Sequence, residues 1–368
     1  MNSFKKNLEN FFKKFFYKAF SLFYGDVKGK ILPKQDKRIK TEKVIKQSKI
    51  NYRVFRIRDG RLYTDRIHDT AVILDNFIIE GPSHQLRPIN NVEVEKNIVF
   101  EKGTPRIKKN LNGKTLSLLT GGAGNDNYSH WLLDVLPRLG LCEEIFNLSE
   151  IDFFLLPSLE KKFQRETMEM LNINKKCLLS SKSFRHIIAT ELIVTDHPYC
   201  ITGNATNDIM NIPLWIPLWL KKKFLNKEKN IVKYPPKIFI DRSDSESNTR
   251  HLRKIINEEQ VKNCLLDNGF QSIILGDLHF SEQVQLFNNA EKIVGLHGAG
   301  FANLCFCEPG TKIIELKSKS AGVQYKNLSE KNSLIYNSIS CQPSKFDQKN
   351  QYGHIEIPIE KLKDLIRK

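Results

Sequence analysis

Short apolar runs alternate with stretches of helical spacing along most of this chain, and that alternation restricts the fold more than any other feature. DFFLLP (152–157), ELIVT (191–195), KIFIDR (237–242), SIILG (272–276), KIVGLHGAG (292–300) and TKIIELK (311–317) read as strands, as does LSLLTG before them. Residues 159–171, a stretch from about Thr249 to Gly269, and residues 281–290 carry apolar side chains at helical spacing. Strand, helix, strand in this order argues for βαβ units. The proline-, tryptophan- and lysine-rich stretch 211–235 separates two such patterns, so two α/β domains with a cleft between them are expected.

Upstream the texture differs. VFRIRDGRLYTD sets Asp59–Gly60 between two short alternating stretches, which predicts a hairpin, and AVILDNFIIEG predicts strands broken at Asp75–Asn76. A small β-rich subdomain ahead of a larger α/β domain follows. The predicted division is an amphipathic helix over 1–24, a basic linker over 25–50, an N-terminal α/β domain over 51–220, and a C-terminal domain over 221–345. A tail and basic helix over 346–368 then cross back.

Composition narrows the class. With 40% hydrophobic and 27% charged residues, the chain can build real cores, which excludes wholesale disorder. No apolar run reaches 18 residues, so no spanning helix is expected. Seven scattered cysteines without a paired CxxC read as buried thiols in a reducing compartment, not as a disulfide or zinc framework. The net charge is +17, and the first 50 residues hold +10 of it.

That basic end has a pattern. Phe4, Leu8, Phe11, Phe12, Phe15, Ala19, Leu22 and Phe23 fall in one arc at 100° per residue. Lys6, Asn10, Lys13 and Tyr17 lie opposite, Lys14 and Lys18 flank the stripe, and Gly25 is the expected stop. Large aromatics backed by lysines suit an anionic lipid surface. A helix docked on the protein's own body, or an oligomer contact, are the other readings. Lysines interrupt the apolar stretch too often for a secretory signal. No helix-turn-helix, zinc-finger or aromatic RNA-binding signature accompanies the charge, so no nucleic-acid partner is expected.

Three clusters carry residue types suited to chemistry. In GGAGNDNYSHWLLDVLPRLG (121–140), His130 and Asp134 share a helical face and form a plausible acid/base pair. The plainer alternative is that His130 caps the helix and Asp134 pairs with Arg138. In FIDRSDSESNTRHLRKIINEEQ (239–260), a strand runs into a polar loop with Arg242, Arg250 and Arg253, whose guanidinium groups suit a diphosphate. A solvated helix laced by Arg–Glu pairs would look the same. In VGLHGAGFANLCFCEPGTKIIEL (294–316), His297, Gly298, Ala299 and Gly300 follow a strand, where small residues let phosphate approach backbone amides. A glycine turn serving packing is the alternative there. Glu315, at the next strand's exit, has the chemistry to hold a sugar or ribose hydroxyl. No HExxH, EF-hand loop, DxD or GxSxG occurs, so neither metal nor esterase chemistry is expected.

Taken in this order, the clusters resemble glycosyltransferase family 61. Its pattern YxHWxxExxPRL is matched from Tyr128 to Leu139. RxxxNExE is matched at Arg253, Asn257, Glu258 and Glu259, and GxHGAGxxNxxFxxPGxxxIEL from Gly295 through Asn303, Phe306 and Pro309–Gly310 to Leu316. The resemblance covers roughly residues 50–345. Two departures stand out: Asp134 occupies the position where many relatives have glutamate, and Gln260 replaces the last acid of the second motif.

The resemblance implies a GT-B fold, two Rossmann-like domains facing across a cleft. It also implies inverting sugar transfer from a nucleotide-diphosphate sugar, with no metal or other cofactor required. The implied donor site takes Arg242, Arg250, Arg253, Asn257, Glu258, His297, Gly298, Ala299, Gly300, Asn303 and Glu315. Asp134 is the first choice of base and His130 the alternative. Capsule or lipopolysaccharide glycans, often lipid-linked, are the implied acceptors, which sets the protein on the cytoplasmic face of a bacterial inner membrane. A non-catalytic glycan-binding scaffold and a sugar-nucleotide epimerase are the competing expectations.

Overall fold

Apolar runs become strands in two separate sheets, one mixed and one wholly parallel. The computed structural model describes residues 15–47, 49–66, 69–85, 94–120, 126–225, 234–243, 253–343 and 353–367. The chain divides into two units, Met1–Asp208 and Ile209–Lys368, each with its own sheet.

The first unit contains β1 (Gly29–Ile31), β2 (Ile39–Lys46), β3 (Ile50–Thr64), β4 (Asp69–Leu74), β5 (Phe77–Ile79) and β6 (His84–Gln85). Further on come β7 (Lys109–Ser117), β8 (Phe153–Leu156), β9 (Leu178–Ser180) and β10 (His186–Thr195). The sheet order is β1-β5-β4-β3-β10-β7-β8-β9, with β2 on β3 and β6 on β4. Strand β10 is the seam: it pairs antiparallel with β3 and parallel with β7.

The hairpin expected at Asp59–Gly60 does not form. β3 runs straight through it, because three neighbours hold it along its length. β2 pairs with its first half, β4 with its second, and β10 with both. Asp59 takes φ 54, the left-handed region that aspartate tolerates. At Gly60 a Cβ would sit 2.7 Å from that of Leu192, so the missing side chain lets β10 lie close. The β-rich segment is therefore the antiparallel half of one sheet, not a subdomain. Asp75–Asn76 does turn the chain, between antiparallel β4 and β5, with Asp75 at φ 52.

Residues 15–24 form a helix that ends at Gly25, where φ is 74. Residues 1–14, which carry Phe4, Leu8, Phe11, Phe12 and most of the lysines of the expected stripe, lie outside the described residues. One face of the helix docks on its own unit. The Lys108 backbone N–H donates to the Tyr24 hydroxyl at 3.1 Å, and the Tyr24 ring meets His186 edge-on at 5.1 Å. The other face stays open: Phe15 is 62% exposed, Leu22 84% and Phe23 82%. Among the described residues no helix is long and apolar enough to cross a membrane.

The second unit holds β11 (Lys237–Asp241), β12 (Gln271–Ile274), β13 (Lys292–Leu296), β14 (Lys312–Ser318) and β15 (Ile335–Cys341). All pairs are parallel and the order is β12-β11-β13-β14-β15. Numbered within the sheet this is 2-1-3-4-5, a doubly wound arrangement. Of the helix expected from about Thr249, residues 249–252 lie outside the described residues; the described helix is Glu258–Asp267, and Ile255 before it bridges to Ile355. Tail residues Ile355, Ile357, Leu362 and Ile366 are buried with Phe239, Val294 and Ile314. The tail thus completes the core of this unit.

Candidate active site

In a doubly wound sheet, ligands bind beyond the strand C-termini at the point where the strand order reverses. Here that point lies between β11 and β13. The segment after β11 brings Arg242 and later Arg253, and the turn after β13 is His297–Gly298. The structure joins them. Arg253 Nη1 donates to the His297 carbonyl at 2.9 Å, and Arg242 Nη1 reaches the same oxygen at 3.5 Å. Both arginines are half-buried. Gly298 faces the Arg242 guanidinium, whose Cζ would lie 3.5 Å from any Cβ added there. Two positive groups thus share one carbonyl at the reversal of the sheet.

The His297 side chain is fixed from below. Glu315 is fully buried, and its carboxylate accepts from His297 Nδ1 and from the Tyr336 hydroxyl. With the proton on Nδ1, Nε2 accepts from the Gln324 amide at 3.3 Å. Glu315 therefore orients His297, and both its oxygens are engaged within the protein. The other predicted donor residues divide. Ala299 and Gly300 start a 3-10 helix over Ala299–Phe306, and a Cβ on Gly300 would meet Leu275 at 2.9 Å. Asn303 is buried and donates to Gln283 at 3.1 Å, which ties that helix to the preceding one, Phe280–Asn289. Asn257 exchanges two hydrogen bonds of 2.9 Å with the Ile357 backbone and so anchors the tail. Glu258 pairs with Lys262 at 3.2 Å, and Lys262 with Asp241 at 2.8 Å. Arg250 lies outside the described residues.

The first unit holds the other cluster. Asn127 caps the segment, its Oδ1 accepting from the Ser129 and His130 backbone at 2.9 and 3.3 Å. Pro137 has no N–H to give to Leu133, and the turn before it widens to a π-helix over Trp131–Val135. Leu136 N–H reaches back to the Trp131 carbonyl at 3.0 Å. Such widened turns recur at functional sites.

On this segment Asp134 is completely buried. Arg138 Nη2 donates to its Oδ1 at 3.0 Å, and His197 Nε2 lies 3.0 Å from its Oδ2. His197 Nδ1 accepts from the Tyr199 and Cys200 backbone N–H groups at 3.3 and 3.1 Å, so its proton is on Nε2, toward Asp134. Burial opposes the Asp134 charge, but His197 and Arg138 overcome it and hold the carboxyl well below the usual carboxylate range. Burial pushes His197 down, toward the neutral ring. His130, half-buried, is also pushed down by burial, against the pull of Asp134. Its Nδ1 shares a hydrogen bond with the Tyr199 hydroxyl at 3.3 Å. A cavity of about 410 Å³ opens beside this group, lined by Arg53, Asp196, His197 and Thr202 among others.

His130, Asp134 and Arg138 come together as their spacing requires. His197 and Tyr199 join this cluster from a segment outside the three motifs. The stretch DHPYC (196–200) carries two polar rings just after the ELIVT strand, which is the one signal the sequence offered. Among the described residues no group of three His, Cys, Asp or Glu side chains is arranged to hold a metal ion.

A family model described as Glycosyltransferase 61 matches residues 128–314, just over half of the chain. The match starts at Tyr128, in the first cluster, and ends one residue before Glu315. No curated protein matches the chain.

Proposed function

The chain belongs to glycosyltransferase family 61, and from that premise we propose an inverting, metal-independent transfer of a sugar from a nucleotide-diphosphate donor to a hydroxyl of a growing surface glycan. The observation that carries this reading is the meeting of Arg242 and Arg253 on the His297 carbonyl at the sheet's reversal point. Guanidinium groups there neutralise the departing diphosphate, the service a catalyst without a metal must supply from its own side chains.

The attacking hydroxyl must lose a proton as its oxygen bonds to the anomeric carbon and the nucleotide diphosphate leaves. Asp134, sealed from solvent and held ionised, is a poor acceptor for that proton. The role passes to His130, half-buried and kept neutral by desolvation. Asp134 then acts through its charge, stabilising the imidazolium as it forms and fixing His197 and Arg138. The cavity beside His197 supplies polar side chains for an acceptor rich in hydroxyls. This reading takes the two units as halves of a GT-B enzyme and the acceptor as a lipid-linked capsule or lipopolysaccharide glycan. It sets the protein at the cytoplasmic face of a bacterial inner membrane, attached through residues 1–24.

The test is product analysis with a panel of nucleotide sugars and lipid extracts, together with calorimetry. Arg253→Gln should weaken nucleoside-diphosphate binding by about 10- to 100-fold, as expected for a charged hydrogen bond. His130→Gln should keep that binding and lose transfer. Unchanged binding in R253Q removes the diphosphate site from this turn. Nucleotide bound by the wild type with no sugar moved, on any acceptor, makes the chain a binding protein.

A further inference from the structure

A second cavity of the first unit lies apart from the one beside His197. It lies under the N-terminal helix and measures about 740 Å³. The helix supplies one wall with Phe16, Tyr17 and Phe20. The body supplies Lys102, Arg106, Lys109, Lys182 and Arg185, with Asp65 the one carboxylate among the described lining residues.

That charge is poorly compensated at home. Lys182 pairs with Glu160. Lys109 sits over the Phe184 ring at 4.2 Å, and Arg185 donates to the backbone carbonyls of Thr64 and Asp65 at 3.2 and 2.7 Å. Neither Lys102 nor Arg106 has an ion-pair partner among the described residues. Burial and then the neighbouring Arg106 push Arg185 down, against the pull of Tyr63 and Asp65. The rim has the opposite character. Ile107 lines the cavity yet is exposed, and Phe15, Leu22 and Phe23 project from the helix that walls it.

We propose that this cavity binds the phosphate headgroup of an anionic membrane phospholipid, with Phe15, Leu22, Phe23 and Ile107 entering the acyl region around it. Lining cations, of which Arg106 and Lys109 are exposed, together with bare apolar side chains on Ile107 and the helix match a headgroup with its tails, a combination a soluble phosphate does not require. The helix has one face for the body and one for lipid, so self-docking and membrane attachment are two sides of one element. The inference rests on the membrane attachment in the proposed function and not on sugar transfer.

The experiment is co-flotation of the full chain with vesicles of phosphatidylcholine containing about one-third phosphatidylglycerol, against pure phosphatidylcholine. Removing two cations by Arg106→Gln and Lys109→Gln should cut the partition onto anionic vesicles by about 30-fold. Lys175→Gln with Lys176→Gln removes the same charge from an exposed turn elsewhere in the unit, and should change it less than about threefold. Phe15→Ser, Leu22→Ser and Phe23→Ser together should abolish flotation while the circular dichroism stays that of the wild type. Wild-type flotation of the R106Q/K109Q variant, or an equal loss in the control pair, overturns the site. So does calorimetric binding of inorganic phosphate that R106Q/K109Q abolishes and that anionic vesicles do not compete away, which would make this a soluble-phosphate site. Transfer to a water-soluble acceptor should survive in R106Q/K109Q. Its absence from the wild type would count against the enzyme, and leave the flotation result standing.

Discussion

At the residue scale the decisive group is Asp134. It sits four residues from His130 and four from Arg138, and its solvent access is nil. A carboxylate so enclosed persists only because Arg138 and His197 meet both its oxygens. Replacing it by asparagine leaves a buried guanidinium without its counter-charge, so Asp134→Asn should destabilise the fold by about 3–5 kcal/mol at neutral pH. The sign with pH follows from the lowered pKa. The ionised group contributes stability above its unfolded value near pH ~4, and that contribution is lost as pH falls toward the folded value. Urea unfolding of wild type and D134N should therefore show a wide gap at pH about 7 that narrows below about 4. A gap independent of pH would mean that Asp134 is not charged in the folded protein. In the proposed mechanism the same logic moves the base from Asp134 to His130.

At the element scale one local sequence departs from its usual meaning and another keeps to it. Asp59–Gly60 is a turn pair, yet β3 passes through it because neighbouring strands on both sides outweigh a local preference. Gly60 is needed there for approach, not for a reversal. Gly60→Ala should cost about 1–3 kcal/mol, since its new carbon would press on Leu192 and Ile57. Gly29→Ala, where nothing is nearer than 3.9 Å, should cost far less in the same thermal melts. Equal costs would remove close approach as the reason for the glycine. Pro137, by contrast, acts as its chemistry dictates. It withholds a donor, and the preceding turn widens and carries Asp134 with it.

At the scale of the whole molecule, each unit closes its own core, and the second depends on the end of the chain. Ile355, Ile357, Leu362 and Ile366 are buried there, and Asn257 holds the tail by two backbone bonds. Burying such a side chain stabilises by about 1.5–3 kcal/mol, so losing four forfeits roughly 6–12 kcal/mol. Domains are stable by only about 5–15 kcal/mol. A chain ending at residue 343 should have its second unit digested rapidly by trypsin while fragments of the first persist. A resistant second unit would mean that the tail only covers a core already complete. The parallel sheet itself was readable from KIFIDR, KIVGLHGAG and TKIIELK, whose runs are apolar enough to need cover on both faces. The merging of the β-rich segment with β7–β10 into one sheet was not, since pairing partners far along the chain leave no local trace.

The sequence by itself determined the α/β class, the glycine turn after β13, and the His130–Asp134–Arg138 spacing. These are local properties: period, turn chemistry and residue type act within a few positions of one another. The tertiary structure alone decided that Glu315 lies beneath His297, that His197 closes over Asp134, and that helix 15–24 roofs a basic cavity. Each is a meeting of residues distant in the chain, and burial, which sets whether a carboxylate takes a proton or merely holds a neighbour, exists only once the chain has folded around it.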